Sequence, residues 1–198
     1  MHQISPAPCT GSPTRGAISP SLRQAALLAH LDGFAYLEDD LDAVVHEACR
    51  VAADGIGAGF AWVLQYRANR DAFVLQAGVG WPAQMIGRIR IAAELGTTAG
   101  LAWLTGRLVQ FSQLDAPDCI WMPESMTEHG VHRMVSVPFW GDSRRAFGVL
   151  EVGSREAGEF TRHDLSFVQE LASRLCTAAD RQRPARIGYQ QDAQGETG

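Results

Sequence analysis

The sequence predicts an α+β domain. Three observations carry this: Phe60 to Tyr66 is an almost continuous apolar run, Arg133 to Trp140 and Ala146 to Ser154 form two apolar stretches joined by a Gly-Asp-Ser turn, and helical apolar spacing with capping signals flanks them on both sides.

Residues 1–18 hold three prolines, two glycines and little apolar surface. Such a stretch cannot offset the entropy of ordering it and reads as a flexible leader. The first helix starts between Ser19 and Ser21. Either Ser19 caps it with Pro20 in the first turn, or Ser21 and Gln24 form a capping box, and it runs to about Leu31. A second helix has Asp39 or Asp40 as cap, Leu41, Val44, Val45, Ala48, Cys49, Ala52 and Ile56 on one face, and Gly57 past its end. That spacing makes Cys49 a core residue.

Phe60 to Tyr66 reads as a central strand covered on both sides. The turn Arg67 to Asp71 leads into a strand over Phe73 to Val79, and further strands are expected near Arg88 to Ile91 and Leu108 to Phe111. Short helices fit Pro82 to Ile86, Thr98 to Thr105 and Glu124 to Glu128. The last helix opens with Thr161 as cap and Asp164 as its partner, with Phe160 set to pack on Leu165. Its inner face is Leu165, Val168, Leu171, Ala172, Leu175 and Cys176. Phe167, Arg174 and Ala178 point elsewhere, part of a stripe that could bury against another subunit. Residues 181–198 read as a disordered tail, with Pro184 stopping the helix.

Composition limits the function. The chain has 198 residues, 46% of them apolar, which suits one domain with loose ends over residues 19–180. A net charge of −5 with scattered arginines offers no basic stripe for a nucleic-acid backbone. All 17 basic residues are Arg, so lysine chemistry is excluded. No run of 18 apolar residues could span a membrane and no signal peptide is evident, which places the chain in the cytoplasm. The four cysteines (Cys9, Cys49, Cys119, Cys176) are widely spaced and read as reduced thiols.

Four blocks follow one another in order along the chain: Gly78 to Trp81, Thr98 to Ala102, Glu128 to Arg133 and Gly148 to Arg155. This ordered set resembles a GAF domain over roughly Leu41 to Ala179. It is most similar to the sensory GAF domains of bacterial histidine kinases of the HWE type, with His132 where Arg is usual and Gly153 where Asp is usual. The resemblance implies a GAF-like central antiparallel β-sheet, with helices packed on one face and a ligand pocket under short helices and loops on the other. It implies sensing in signal transduction, with no enzymatic activity, through a homodimer that passes its signal to a separate partner such as a histidine kinase. A ligand-free scaffold for dimerisation or docking is the alternative.

The cofactor stays unknown at this stage. The cyclic-nucleotide signature needs a Lys that this chain lacks. A bilin would use Cys119, but Ile120 stands where photosensory relatives have His. Haem would use His129, His132, Met122 or Met134, none of which is fixed as a ligand. The thiol chemistry of free methionine sulfoxide reductases needs a resolving partner, and between Val51 and Leu175 there is only Cys119. No cluster has zinc-like spacing.

The pocket candidates are Trp62, Trp103, Trp121, Met134, Ser136 and Glu151. Alternation puts Phe147, Val149 and Glu151 on one face of their strand, so Glu151 is a carboxylate in an apolar ladder. Ser136 interrupts the neighbouring strand in the same way. Glu151 either pairs with Arg133 or Arg90 or reaches the sheet rim, or it anchors a ligand. Trp62 and Trp81 read as core and turn fillers, and Trp103 and Trp121 as pocket walls under a lid from Ser112 to Pro123. On this reading Glu151→Ala and Trp103→Ala weaken ligand binding without unfolding the domain.

Overall fold

The structure is a computed structural model that describes residues 19–112, 124–141 and 146–181. The leader, most of the tail, the lid segment with Cys119 and Trp121, and the turn residues Asp142 and Ser143 lie outside the described residues.

The elements run α1 (Pro20–Leu37), α2 (Leu41–Ile56), β1 (Phe60–Arg67), β2 (Ala72–Val79), a 3-10 turn (Ala83–Met85), β3 (Arg90–Ala92), α3 (Thr98–Thr105), β4 (Val109–Ser112), α4 (Glu124–Glu128), β5 (Arg133–Trp140), β6 (Ala146–Ser154) and α5 (Arg162–Arg181). The six strands form one antiparallel sheet in the order β3-β2-β1-β6-β5-β4. Helices α2 and α5 cover one face of this sheet and α1 packs on those two helices, while α3, α4 and the connections around β3 cover the other face.

Local chemistry accounts for the boundaries. Ser19 accepts a hydrogen bond from the Leu22 N–H at 3.3 Å and Pro20 opens α1, so the first of the two starts is the one adopted. Gln24 is buried instead, donating to the Gly55 carbonyl and to Asp164. The helix runs on to Leu37, six residues past the expected Leu31, because nothing between them breaks it: Gly33 alone costs about 1 kcal/mol against Ala. In α2, Asp40 is the cap and Gly57 ends the helix in the left-handed region at φ 70°. Thr161 and Asp164 form the reciprocal capping box of α5, with each backbone N–H donating to the other's side chain.

The helix-side core joins Val44, Val45, Ala48 and Cys49 of α2 to Val168, Leu171 and Leu175 of α5 over Ala61, Val63, Leu150 and Val152 of the sheet. Cys49 is fully buried, and loss of solvent pushes its thiol up to about 12, so it is inert filler. Phe167 and Ala178 were expected off the inner face of α5, yet both are buried in this core. Helix α5 lies against α1 and α2 as well as the sheet, so two of its sides are covered. The Phe167 ring fills the space where a Cβ on Gly55 would stand, 2.2 Å away.

Two irregularities set which face each strand shows. Between β1 and β2 the register slips at Val63/Leu64, so Phe73 and Leu75 face the same side as Trp62 while Ala77 returns to the helix side. A second slip at Phe139/Trp140 corrects the expectation for Phe147. That residue packs on Phe139 in the helix-side core, with ring centroids 5.1 Å apart, while Val149 and Glu151 face the other way.

Gly148 lets β1 and β6 approach. A Cβ there would stand 2.1 Å from the Leu64 carbonyl oxygen, a backbone atom that cannot rotate away. Gly148→Ala is therefore expected to destabilise the domain by about 2 kcal/mol, read as the midpoint of urea unfolding. An unchanged midpoint would mean that the two strands separate without cost.

Candidate functional site

On the sheet face away from the long helices, strand alternation lines up Phe60, Trp62 and Leu64 of β1, Val149 and Glu151 of β6, and Met134 and Ser136 of β5. The register makes Trp62, Glu151 and Ser136 direct neighbours in one row across three strands, since Trp62 pairs with Glu151 and Glu151 with Ser136. Helix α3 covers the row. Its cap Thr97 accepts from the Gly100 N–H at 3.0 Å, which sets Thr98 at the first helical position with its hydroxyl over β6.

The result is a buried polar cluster. The Trp62 indole N–H donates to one oxygen of Glu151 at 2.6 Å, and the Ser136 and Thr98 hydroxyls donate to the other at 2.5 and 3.2 Å. Thr98 also lies 3.5 Å from the Met134 sulfur. Trp62, Ser136, Met134 and Glu151 are each 0% exposed.

No cation is bonded to this carboxyl among the described residues. Arg133 instead bonds Glu156 at 2.9 Å and the Glu159 carbonyl at 2.7 Å, its guanidinium lying over the Phe160 ring. Arg90 sits exposed on the edge strand β3. Both the arginine pairing and the sheet-rim position expected for Glu151 are thus corrected. Burial raises its carboxyl to about 7, although the hydrogen bonds from Ser136, Trp62 and Thr98 pull the other way. The Trp62 N–H can only donate, so a proton added near neutral pH belongs on the oxygen shared by the two hydroxyls, which can turn to accept it.

Four of the six pocket candidates therefore meet: Trp62, Met134, Ser136 and Glu151. Trp103 stands one layer away, stacked between Tyr66 (4.9 Å) and Trp140 (5.8 Å) and edge-on to Phe73. Trp121 lies outside the described residues. Thr98 and Trp81 are the members that the sequence reading missed. A hydroxyl in the first turn of a helix that covers a pocket is the signal that could have found Thr98.

Trp81 stands edge-on to Trp62 at 5.1 Å and also meets Phe60 and His129, both at 5.1 Å. Its buried N–H has no acceptor among the described residues. Around it three of the sequence blocks converge: Arg155 donates to the His129 carbonyl at 3.2 Å and lies over Phe60, and Gly153 leaves room for the Trp62 ring. Gly80 adopts φ 85° where a Cβ would meet the Gly59 carbonyl at 2.2 Å, so the turn carrying Trp81 requires glycine.

Between the two indoles the face is nearly closed. The cavity bounded by Trp62, Leu64, Leu75, Trp81, Ile91 and Met126 measures about 10 Å³, room for one water. Among the described residues no group of three or more His, Cys, Asp or Glu could hold a metal ion. Of the haem candidates, Met134 is engaged by Thr98, His129 packs on Trp81, and Met122 lies outside the described residues.

A sheet in this order, helices on one side and a short helix closing a small polar cluster on the other, can be compared with known proteins. A family model for the GAF domain matches residues 38–178, most of the chain. The chain belongs to the GAF domain family.

Solved GAF structures agree on the fold. The GAF domain of a phosphoenolpyruvate-protein phosphotransferase from Coxiella burnetii superposes with a TM-score of 0.73 at 14% identity, covering 82% of this chain and 96% of its own. Free methionine-R-sulfoxide reductase from Neisseria meningitidis, in complex with its substrate, gives 0.70 at 23% identity over 84% and 95%. The phycocyanobilin-bound GAF domain of a cyanobacterial phytochrome gives 0.66 at 13% over 80% and 94%. No curated protein sequence matches the chain. Among the described residues, no helix of this GAF domain is long and apolar enough to cross a membrane.

Proposed function

We propose that this GAF domain is a small-molecule sensor in bacterial signal transduction, acting as a cytoplasmic homodimer without catalytic activity of its own. The observation that carries the reading is Glu151. A carboxyl that is buried, bonded to no cation among the described residues and held by three neutral donors costs stability near neutral pH that a purely structural core does not need to incur. Two structures of the same fold hold a small molecule, a substrate in one and phycocyanobilin in the other. A ligand entering here displaces Trp81 or Met126 from the cavity beside Trp62 and meets the Glu151 cluster with a polar group.

Occupancy then shifts the elements that close the face, and through them the partner, in proportion to the ligand's preference for the open form. The resemblance of the four sequence blocks to HWE-type kinases makes a histidine kinase the class of partner that this reading favours.

One observation favours the second reading, a ligand-free scaffold: the cavity of about 10 Å³ is filled by the protein's own indoles. Thermal melting against a panel of small metabolites separates the two. A sensor shows at least one compound that raises the melting temperature of wild type and does so less for Glu151→Gln. A scaffold shows no compound that discriminates.

A further inference from the structure

The cavity beside Trp62 is closed by Met126. That side chain is buried where it lines the cavity with Trp62 and Trp81, while Thr127 and Glu128, which follow it on α4, are exposed. Among the described side chains of α4 it is therefore the one that ties this short helix to the core. A helix held by a single unbranched side chain opens more readily than the strands beneath it. Once Met126 swings out, the vacated space is of the order left by truncating a buried Leu, and an apolar void of about 150 Å³ so made takes one benzene ring. The remaining walls, Leu64, Leu75, Ile89 and Ile91 with the two indoles, carry no charge.

Among the described residues, two hydrogen-bonding positions that adjoin the Trp62 ring are unfilled. The first is the Trp81 N–H, a buried donor without an acceptor. The pyrrole edge that carries it lies on β2, since a Cβ on Gly78 would meet the Trp81 Cδ1 at 2.9 Å. The second is on Glu151. One of its oxygens accepts from both the Ser136 and Thr98 hydroxyls, whereas the other accepts only from Trp62, and each carboxyl oxygen has two lone pairs. The Trp81 position asks for an acceptor and the Glu151 position for a donor. An anion suits this space badly, because it would approach a buried carboxyl that is bonded to no cation among the described residues. Arg155, whose guanidinium lies over Phe60, is exposed and donates to the His129 carbonyl.

We propose that this face takes an uncharged aromatic ring bearing a hydroxyl, a neutral phenol, which occupies the place of Met126, accepts from Trp81 and donates to Glu151. A hydroxyl is the smallest group that does both. Such a ligand rests on the sensor reading and gives that sensor its chemical class. Its entry also releases α4, and with it the turn in which the His129 carbonyl holds Arg155.

Titration of the full chain, with nitrogen-15 in its indoles, against p-cresol, p-xylene and p-toluate tests this. The probes share one shape, but p-xylene lacks the hydroxyl and p-toluate is an anion. The expected result is that p-cresol shifts the N–H resonances of Trp62 and Trp81, the latter assigned by its loss in Trp81→Phe. p-Xylene is expected to bind roughly tenfold more weakly, and p-toluate not to bind. Trp81→Phe is expected to cut the affinity for p-cresol roughly tenfold, and Met126→Ala to raise it by about as much, because the closed form no longer competes. Thermal melts confirm that each variant folds, and the ranking of the three probes on wild type decides even where one does not. p-Cresol bound no better than p-xylene, or p-toluate bound best, overturns the phenol and leaves the sensor. So does a ring taken up by Met126→Ala and refused by wild type. The sensor reading falls separately, when no compound of the metabolite panel distinguishes wild type from Glu151→Gln.

Discussion

Glu151→Gln is expected to be more stable than wild type at pH 8 by roughly 3 kcal/mol and to match it at pH 4. The carboxyl is raised from its ordinary 4.5 to about 7 in the folded protein, with burial as the cause. Between those two values the folded state holds a proton that the unfolded chain has lost. Stability contributed by this group is therefore complete below about 4.5, falls as pH rises toward about 7, and is flat above that. Glutamine resembles the protonated form: its carbonyl can accept from Trp62 while its amide donates to the two hydroxyls, which turn to receive it. Urea unfolding of both proteins from pH 4 to pH 8 measures the difference. Parallel curves would mean that Glu151 is ionised and well solvated throughout, and the case for a functional carboxyl would go with it.

Trp62→Ala is expected to cost about 5 kcal/mol, close to the whole stability of an ordinary domain. The indole is 0% exposed and lies under Trp81, so truncation leaves a large cavity. It also deprives Glu151 of its only N–H donor among the described residues, and a buried carboxyl that loses a donor adds about 1–3 kcal/mol. Trp62→Phe separates the two contributions, since it keeps most of the ring volume and removes only the N–H. The phenylalanine variant is expected to fold, to lose part of its stability, and to raise the Glu151 carboxyl further, all readable from the pH dependence of unfolding. Were Trp62→Ala to fold with near-normal stability, the row across β1, β6 and β5 would not be the centre of this face.

The same burial changes what the simplest test of the site can show. Glu151→Ala strands three donors and opens a void, so it reports on folding as well as on binding. Glu151→Gln is the variant that speaks to function. Trp103→Ala acts at the half-buried aromatic row outside the cluster, and is the milder change.

Much of the frame could be read from residues alone, because caps and turns are local. Asp40, Gly57, Thr161 and Asp164 act where the sequence put them, and β5 and β6 keep their expected limits. Glu151 and Ser136 stood out as polar breaks in apolar runs, and they do meet. What stayed hidden depends on register. Nothing local says that Trp62 faces Glu151 across β1 and β6, nor that a slip at Phe139/Trp140 sends Phe147 to the other side of the sheet. Thr98 was hidden for a related reason, since its role needs α3 docked over β6. The extra turns of α1 were missed because their outward residues match no core within the chain.

The central claim is that this face takes up a small molecule. Mass spectrometry of the freshly purified protein, native against denatured and read with its visible absorption, tests it most directly. The account predicts a native mass above that of the sequence by a small molecule that is lost on denaturation, or an absorbing cofactor. A colourless protein whose native mass is an integral multiple of the sequence mass would contradict it and leave the scaffold in its place.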